Sequence, residues 1–181
     1  MAVESTMVPL GSALPSFTLP DLAGTTVSSE QYLGKPLLVA FVSNHCPYVR
    51  HVERGFAALA TRHEQDLSVL AICTNDADAY PQDGPIGLAE QVDRALWEFP
   101  YLIDTTQEVG RTFGAACTPD FFLYDADGRL AYRGAMDAST PGNGVPVTGD
   151  LLEDAVSRVV AGKPVPEPHR PSMGCSIKWR E

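Results

Sequence analysis

Residues 37–51 constrain the fold more than any other part of the chain. Residues 37–42 are apolar and rich in β-branched and aromatic side chains, which predicts a buried strand. After three polar residues, Cys46 and Pro47 open a segment with apolar side chains at helical spacing. Proline suits the first turn of a helix, because its missing N–H group is not needed there. The stretch therefore predicts a strand, a sharp turn and a helix with Cys46 at its N-cap.

The predicted position of Cys46 favours a reactive thiol. Unpaired backbone N–H groups and the positive end of the helix dipole stabilise a thiolate at a helix N-terminus. His45 and Arg50 add polar or cationic neighbours. Most cysteines are small buried hydrophobic residues, but the turn, the following proline and these neighbours oppose that interpretation. We interpret Cys46 as a catalytic nucleophile.

Composition and charge narrow the class of protein. The chain has 181 residues, of which 44% are hydrophobic and 20% charged, and this fits one globular domain. Its net charge of -10 disfavours nucleic acid and anionic membranes as partners. Residues 1–11 lack a basic segment followed by an apolar one, so we expect no signal peptide. The sequence predicts a cytoplasmic protein with no nucleic-acid partner and no membrane partner.

The cysteine pattern gives no sign of a metal or cofactor. The four cysteines lie at positions 46, 73, 117 and 175, which is not a zinc-binding spacing. In a cytoplasmic protein they are expected to be reduced at rest, with disulfides that are transient. His45 and His51 could join Cys46 as copper or zinc ligands, but so few ligands on a turn do not make a closed site. We expect no metal and no cofactor.

Residues 74–86 are acidic and interrupted by glycine and proline, which predicts a loop. Asp76, Asp78 and Asp83 lack the turn glycine and the final glutamate of an EF-hand calcium site. We interpret these three carboxylates as part of a solvated loop.

Alternating strands and helices predict an α/β protein with a mixed sheet and helices on both faces. We expect one domain over residues 1–162, with its core at 12–162, a loosely held arm at 1–15 and an extended proline-rich tail at 163–181. Strands are predicted at 17–19, 25–27, 37–42, 67–73, 101–103, 121–124 and 129–132, and helices at 47–63, 87–97, 106–113 and 148–161.

The segment 38–50 resembles the active-site strand and turn of thioredoxin, aligned without a gap. Cys46 matches the nucleophilic cysteine, and Val49 stands where the second cysteine would be. Thr118 and Pro119 resemble the cis-proline loop that faces this cysteine. The resemblance implies a thioredoxin fold, with a mixed central sheet flanked by helices, an N-terminal β-hairpin extension and an extended C-terminal tail.

Four separated motifs resemble the peroxiredoxin-like redoxin group, which is related to the alkyl hydroperoxide reductase and thiol-specific antioxidant family. They lie at 43–49, 117–125, 141–144 and 174–179. Peroxiredoxins carry Pro-x-x-x-Thr-x-x-Cys, whereas here Val39 replaces the proline and Ser43 the threonine. Thr118-Pro119 stands where their arginine is expected. Ala40 also replaces the buried acidic residue of thioredoxin. The missing proline and arginine argue against efficient peroxidase chemistry, because the hydrogen bonds that polarise a peroxide are absent.

A mixed disulfide on a single thiol must be resolved by a second group. Cys117 is our first choice, because it lies two residues before Pro119 in the loop expected to face Cys46; the alternative is a buried cysteine that points away. Cys175 in the tail is the other candidate resolver, or else a structural anchor. We expect His45 to raise the thiolate content or to donate a proton, unless it is simply an exposed loop residue.

The residues together predict a thiol–disulfide oxidoreductase. The Cys46 thiolate would attack a disulfide, while Thr118 and Pro119 present backbone groups to an extended substrate, as the resemblance implies. The expected partners are protein or small-molecule thiols and disulfides, and a reductant of unknown identity. Two alternatives remain open: a weak thiol peroxidase that reacts with peroxide through a sulfenic acid, and a redox-sensitive binding module without turnover.

Overall fold

Residues 1–180 are described by a computed structural model, in which strands and helices alternate along most of the chain. The strands are β1 (Ala2–Glu4), β2 (Thr18–Pro20), β3 (Thr26–Ser28), β4 (Leu37–Phe41), β5 (Ser68–Cys73), β6 (Tyr101–Ile103), β7 (Cys117–Thr118), β8 (Asp120–Tyr124), β9 (Leu130–Gly134) and β10 (Met173–Ser176). The α-helices are α1 (Pro47–Arg62), α2 (Pro85–Ala95), α3 (Glu108–Phe113) and α4 (Asp150–Val160). Short 3-10 helices cover Ser29–Tyr32 and Pro81–Asp83.

The central sheet has five strands in the order β6-β5-β4-β8-β9. β4, β5 and β6 run parallel, whereas β8 is antiparallel to both β4 and β9. Every residue of β4 is buried, because layers of side chains cover both faces of this middle strand. The predicted mixed sheet and thioredoxin-like α/β fold are confirmed.

Two apolar clusters lie on the two faces of the sheet. One contains buried side chains of α1 and α4, including Phe56 and Val156, together with Cys46. The other contains Phe113 of α3 and side chains of the β2–β3 hairpin such as Leu19. The predicted N-terminal hairpin is therefore present, and it covers one face of the sheet.

The N-terminal arm and the C-terminal tail form a second sheet, in the order β1-β10-β7. The prediction of a loosely held arm at residues 1–15 was wrong: β1 pairs along β10, with Ala2 opposite Cys175. The tail lacks periodicity, as predicted, yet it contains a strand, because its backbone pairs with β1 and β7. β10 thereby lies beside the strand that leads into the cis-proline loop, with β1 on its outer side.

Among residues 1–180, no helix combines the length and the apolar character needed to span a bilayer.

Candidate active site

Cys46 lies between the first turn of α1 and the loop before β8. It is the N-cap residue of α1, with Pro47 directly after it, as the sequence predicted. Its thiol is fully buried and donates a hydrogen bond to the carbonyl oxygen of Thr118 at 3.1 Å. The Thr118–Pro119 peptide bond is cis. Cys46 and the cis-proline loop therefore face each other, as predicted.

The turn before Cys46 is held from several sides. The Ser43 hydroxyl is 3.2 Å from the Thr118 hydroxyl, and the Gln91 side chain donates to the Ser43 carbonyl oxygen at 3.2 Å. Arg50 donates to the Asn44 carbonyl oxygen at 2.8 Å, and Arg94 to the Asn44 side-chain oxygen at 2.9 Å. These bonds link α1, α2 and the cis-proline loop to the turn, and so fix the backbone that carries Cys46.

Asp83 is the common hydrogen-bond acceptor of this turn, a role that was not predicted from the sequence. Its buried carboxylate accepts hydrogen bonds from the backbone N–H groups of Asn44 at 2.8 Å and His45 at 3.1 Å. It also accepts one from the Asn75 side chain at 2.7 Å. The prediction of a solvated acidic loop was wrong for Asp83, because the loop folds inward and uses this carboxylate to satisfy buried donors. It remains right for Asp78, whose side chain is exposed.

His45 directs its ring toward Asp83. The ring nitrogen Nδ1 lies 2.6 Å from Oδ2 of that carboxylate, and the ring stacks on Tyr80 at 5.2 Å between centroids. About a fifth of the side chain is exposed (22%). The interpretation of His45 as a simple exposed loop residue is therefore wrong. Its hydrogen bonds join it to Asp83, the carboxylate that holds the turn.

Cys175 is the thiol placed beside Cys46. In the β7–β10 pairing, Cys175 lies opposite Thr118, the residue whose carbonyl oxygen accepts the Cys46 hydrogen bond. Burial, and then the nearby Cys46 side chain, raise the pKa of Cys175 to about 11. Its side chain is only partly buried, whereas Cys46 has no exposed surface. The tail strand thus supplies a second thiol to the site.

Cys117 and Cys73 have different surroundings. The Cys117 thiol is buried and directed at two carbonyl oxygens, that of Pro119 at 3.5 Å and that of Ser172 at 4.0 Å. Burial, with a contribution from Asp120, raises its pKa. Cys73 is a core residue, as expected, and burial raises its pKa too. All four cysteines are free thiols.

The backbone beside Pro119 is already paired. Thr118 and Pro119 were expected to present backbone groups to an extended substrate, but β10 occupies this edge, with Cys175 opposite Thr118 and Ser176 opposite Cys117. The Ile177 N–H group extends the pairing by donating to the Ala116 carbonyl oxygen at 3.1 Å. The expectation of a free substrate-binding edge was therefore wrong for this state, because the tail of the same chain fills it.

A buried carboxyl group, Asp120, lies on the strand beside β4. Asp120 is opposite Phe41 in the sheet and accepts a hydrogen bond from the Ala116 N–H group at 3.2 Å. One of its oxygens, Oδ1, has no hydrogen-bond partner within the described residues. Burial raises the pKa of Asp120 to about 7. This buried acid therefore lies on β8, where it is bonded to the segment before β7.

This carboxyl group makes stability depend on pH. Because its pKa is higher in the folded state than in the unfolded state, stability is greatest at low pH and falls as pH rises through about 7. From pH 5 to pH 8, we expect the difference in unfolding free energy between Asp120→Asn and the wild type to change by about 2–3 kcal/mol in favour of the variant. Urea unfolding of both proteins at the two pH values measures this difference. A pH-independent difference would contradict the assignment.

No group of three or more histidine, cysteine or acidic side chains is arranged to hold a metal ion within residues 1–180. His45 and His51 accordingly do not complete a metal site with Cys46 in the described structure.

Comparisons with known proteins show the family of this chain. The AhpC/TSA family matches residues 10–133, which is more than half of the chain. The thiol-disulfide oxidoreductase ResA of Geobacillus thermodenitrificans is 26% identical over 128 residues, or 70% of each chain.

Two solved structures match almost the whole chain. An uncharacterized conserved protein from Geobacillus kaustophilus is 43% identical, with a TM-score of 0.96 over 99% of this chain and 97% of that chain. A hypothetical protein from Sinorhizobium meliloti is 42% identical, with a TM-score of 0.95 over 98% of each chain. The chain therefore belongs to the AhpC/TSA family and has its thioredoxin-like redoxin fold.

Proposed function

We propose that this chain is a thiol–disulfide oxidoreductase in which Cys46 is the attacking thiolate and Cys175 resolves the mixed disulfide. The observation that carries the proposal is the pairing of β10 with β7, which sets Cys175 opposite Thr118, the residue whose carbonyl oxygen accepts the Cys46 hydrogen bond. Family membership and the similarity to the oxidoreductase ResA support the general activity. The assignment of the two cysteines rests on their positions.

The reaction has two exchange steps. The Cys46 thiolate attacks one sulfur of a disulfide, so that a bond forms to Cys46, the substrate disulfide breaks, and a thiolate leaves. Cys175 then loses its proton and attacks Sγ of Cys46. This step releases the second substrate thiolate and leaves a Cys46–Cys175 disulfide. Two electrons pass to the substrate, and an external thiol reductant regenerates both thiols.

Cys175 suits the resolving step better than Cys117. The Cys117 thiol is directed at the carbonyl oxygens of Pro119 and Ser172 on a strand that is part of the body. Cys175 lies on a tail strand, and its side chain is only partly buried, so a small movement can bring its sulfur onto Cys46. Because the pKa of Cys175 is about 11, most of it is protonated near pH 7, and we expect resolution to accelerate as pH rises.

His45 acts as a positioning residue in this proposal. Its ring and its backbone N–H group both bind Asp83, which also holds the Asn44 N–H group. These contacts fix the backbone immediately before Cys46. Thr118 contributes the carbonyl oxygen that accepts the Cys46 hydrogen bond, directly before the cis bond to Pro119.

Replacing Cys175 and Cys117 in turn tests the assignment. We expect Cys175→Ser to lower the turnover of oxidised glutathione by about tenfold or more, because an external thiol must replace a resolving thiol held at high local concentration. The glutathione adduct of Cys46 should accumulate in this variant. The matched variant Cys117→Ser should keep turnover within about twofold of the wild type. The opposite ranking of the two variants would contradict the proposal.

Thiol peroxidase activity and the cytoplasmic location stay predictions from the sequence. The same two variants, assayed with hydrogen peroxide in place of oxidised glutathione, test the first. Fractionation of cells that express the full chain tests the second.

A further inference from the structure

The tail strand occupies the edge at which an extended partner would pair. A polypeptide binds an exposed strand by adding its own backbone hydrogen bonds to the edge. Here β10 lies antiparallel to β7, with Cys175 opposite Thr118 and Ser176 opposite Cys117. The outer side of β10 is in turn paired with β1. The strand that a partner would supply is therefore supplied by the chain itself, and it places its own cysteine at Cys46.

Gly174 allows this close approach. A Cβ atom on Gly174 would overlap the carbonyl oxygen and carbon of Thr118 and lie 3.1 Å from the backbone nitrogen of Pro119. All three are backbone atoms, which have no flexible end to move aside. A side chain at position 174 is consequently incompatible with β10 in its observed place. Its neighbour Met173 is exposed and carries no such constraint.

The chain holds β10 on both sides. Before the strand, the Ser172 hydroxyl donates to the Gly134 carbonyl oxygen at 2.5 Å, and the Ser172 N–H group donates to the Ser5 hydroxyl at 3.0 Å. After it, the Lys178 N–H group donates to the Asn75 side chain at 2.8 Å. Arg180 pairs with Asp76 at 3.0 Å. Detaching the strand would break all of these contacts together with the β pairing.

We infer that β10 is a built-in specificity element that admits compact disulfides to Cys46 and excludes extended polypeptides, with Gly174 as the residue that sets this selection. The inference rests on the proposed exchange chemistry at Cys46 and adds the class of partner. The site selects by steric exclusion, because the tail fills the polypeptide edge.

A compact disulfide and an extended one require different movements. Cys46 has no exposed surface, and the partly buried side chain of Cys175 packs against the apolar cluster that contains it. Rotating that one side chain costs little and opens a path for a small disulfide. A polypeptide that pairs with Cys117 and Thr118 must instead displace the whole strand and its anchors. The difference between these costs is the source of the selectivity.

The experiment compares two oxidants of the reduced full-length protein. One is oxidised glutathione, and the other is a disulfide-linked dimer of an unstructured ten-residue peptide with a central cysteine. For the wild type we expect the oxidation rate constant to be at least about tenfold larger with glutathione. Gly174→Val should shrink this ratio by at least about tenfold, through a faster reaction with the peptide. Met173→Val, at the next position, should leave the ratio unchanged.

Each outcome decides the inference. Equal rates for the two oxidants in the wild type, or an unchanged ratio in Gly174→Val, would overturn it while leaving the proposed function intact. Failure of both oxidants to react at Cys46 would overturn the inference and the proposed function together. If Gly174→Val does not fold, hydrogen exchange of residues 172–177 in the wild type decides. A saturating concentration of the peptide disulfide should increase hydrogen exchange in this segment, because the peptide reaches Cys46 only by displacing β10. If the peptide disulfide oxidises Cys46 while residues 172–177 stay fully protected from hydrogen exchange, the inference is contradicted.

Discussion

Replacing Cys46 with serine is expected to reduce disulfide exchange to the uncatalysed background, a loss of at least about a thousandfold. Serine is close to cysteine in size and can still donate to the Thr118 carbonyl oxygen, so the fold should persist. Its hydroxyl cannot form the mixed disulfide on which both exchange steps depend. Turnover of oxidised glutathione with a thiol reductant measures the loss, and circular dichroism checks the fold.

A second buried cysteine provides the control for this variant. Cys73 lies at the end of β5 in the core, and its thiol approaches only the Asp83 carbonyl oxygen, at 4.0 Å. Cys73→Ala should therefore retain turnover within about twofold of the wild type. Turnover of Cys46→Ser above about a tenth of the wild-type value would contradict the role of Cys46 as the nucleophile.

Replacing Asp83 with alanine is expected to lower the free energy of unfolding by about 3–5 kcal/mol. The change leaves the N–H groups of Asn44 and His45 and the Asn75 side chain without their common acceptor in a buried place. Each unpaired buried donor costs about 1–3 kcal/mol. Urea unfolding measures the effect, and turnover should fall as well, because the turn that carries Cys46 loses its support.

Asp78 in the same loop provides the matched comparison. Its exposed carboxylate pairs with Arg180 at 3.0 Å. An exposed ion pair of this kind contributes little, so Asp78→Ala should cost about 0.5 kcal/mol or less. If Asp83→Ala and Asp78→Ala lower the free energy of unfolding by amounts within about 1 kcal/mol of each other, the buried carboxylate does not support the turn.

Local patterns in the sequence were sufficient to predict the central fold and the position of Cys46. The apolar run of β4 and the Cys46-Pro47 junction determine a strand and a helix through short-range preferences, and both are where they were expected. The cis bond before Pro119 was predicted by resemblance and is present. These features depend on neighbouring residues or on a short motif, and each of these can be recognised in a single sequence.

The parts of the site that were mispredicted depend on contacts between distant segments. In the sequence, Asp83 is one of several acidic residues in a polar loop. Only the folded structure shows that it accepts hydrogen bonds from residues 44 and 45, and His45 is 38 positions away in the chain. β10 has no alternation that marks a strand, since its pairing with β7 and β1 comes from backbone groups. Gly174 gave a faint signal, because glycine in a strand marks a close backbone approach.

The most direct test of the account is peptide mapping by mass spectrometry of the wild type after one equivalent of oxidised glutathione, with free thiols blocked at acid quench. We predict a disulfide-linked pair of peptides that contain Cys46 and Cys175, with Cys73 and Cys117 blocked as free thiols. The same treatment of Cys46→Ser should give no internal disulfide. A Cys46–Cys117 link, or an oxidised Cys46 beside a free Cys175 that never reacts, would contradict the account.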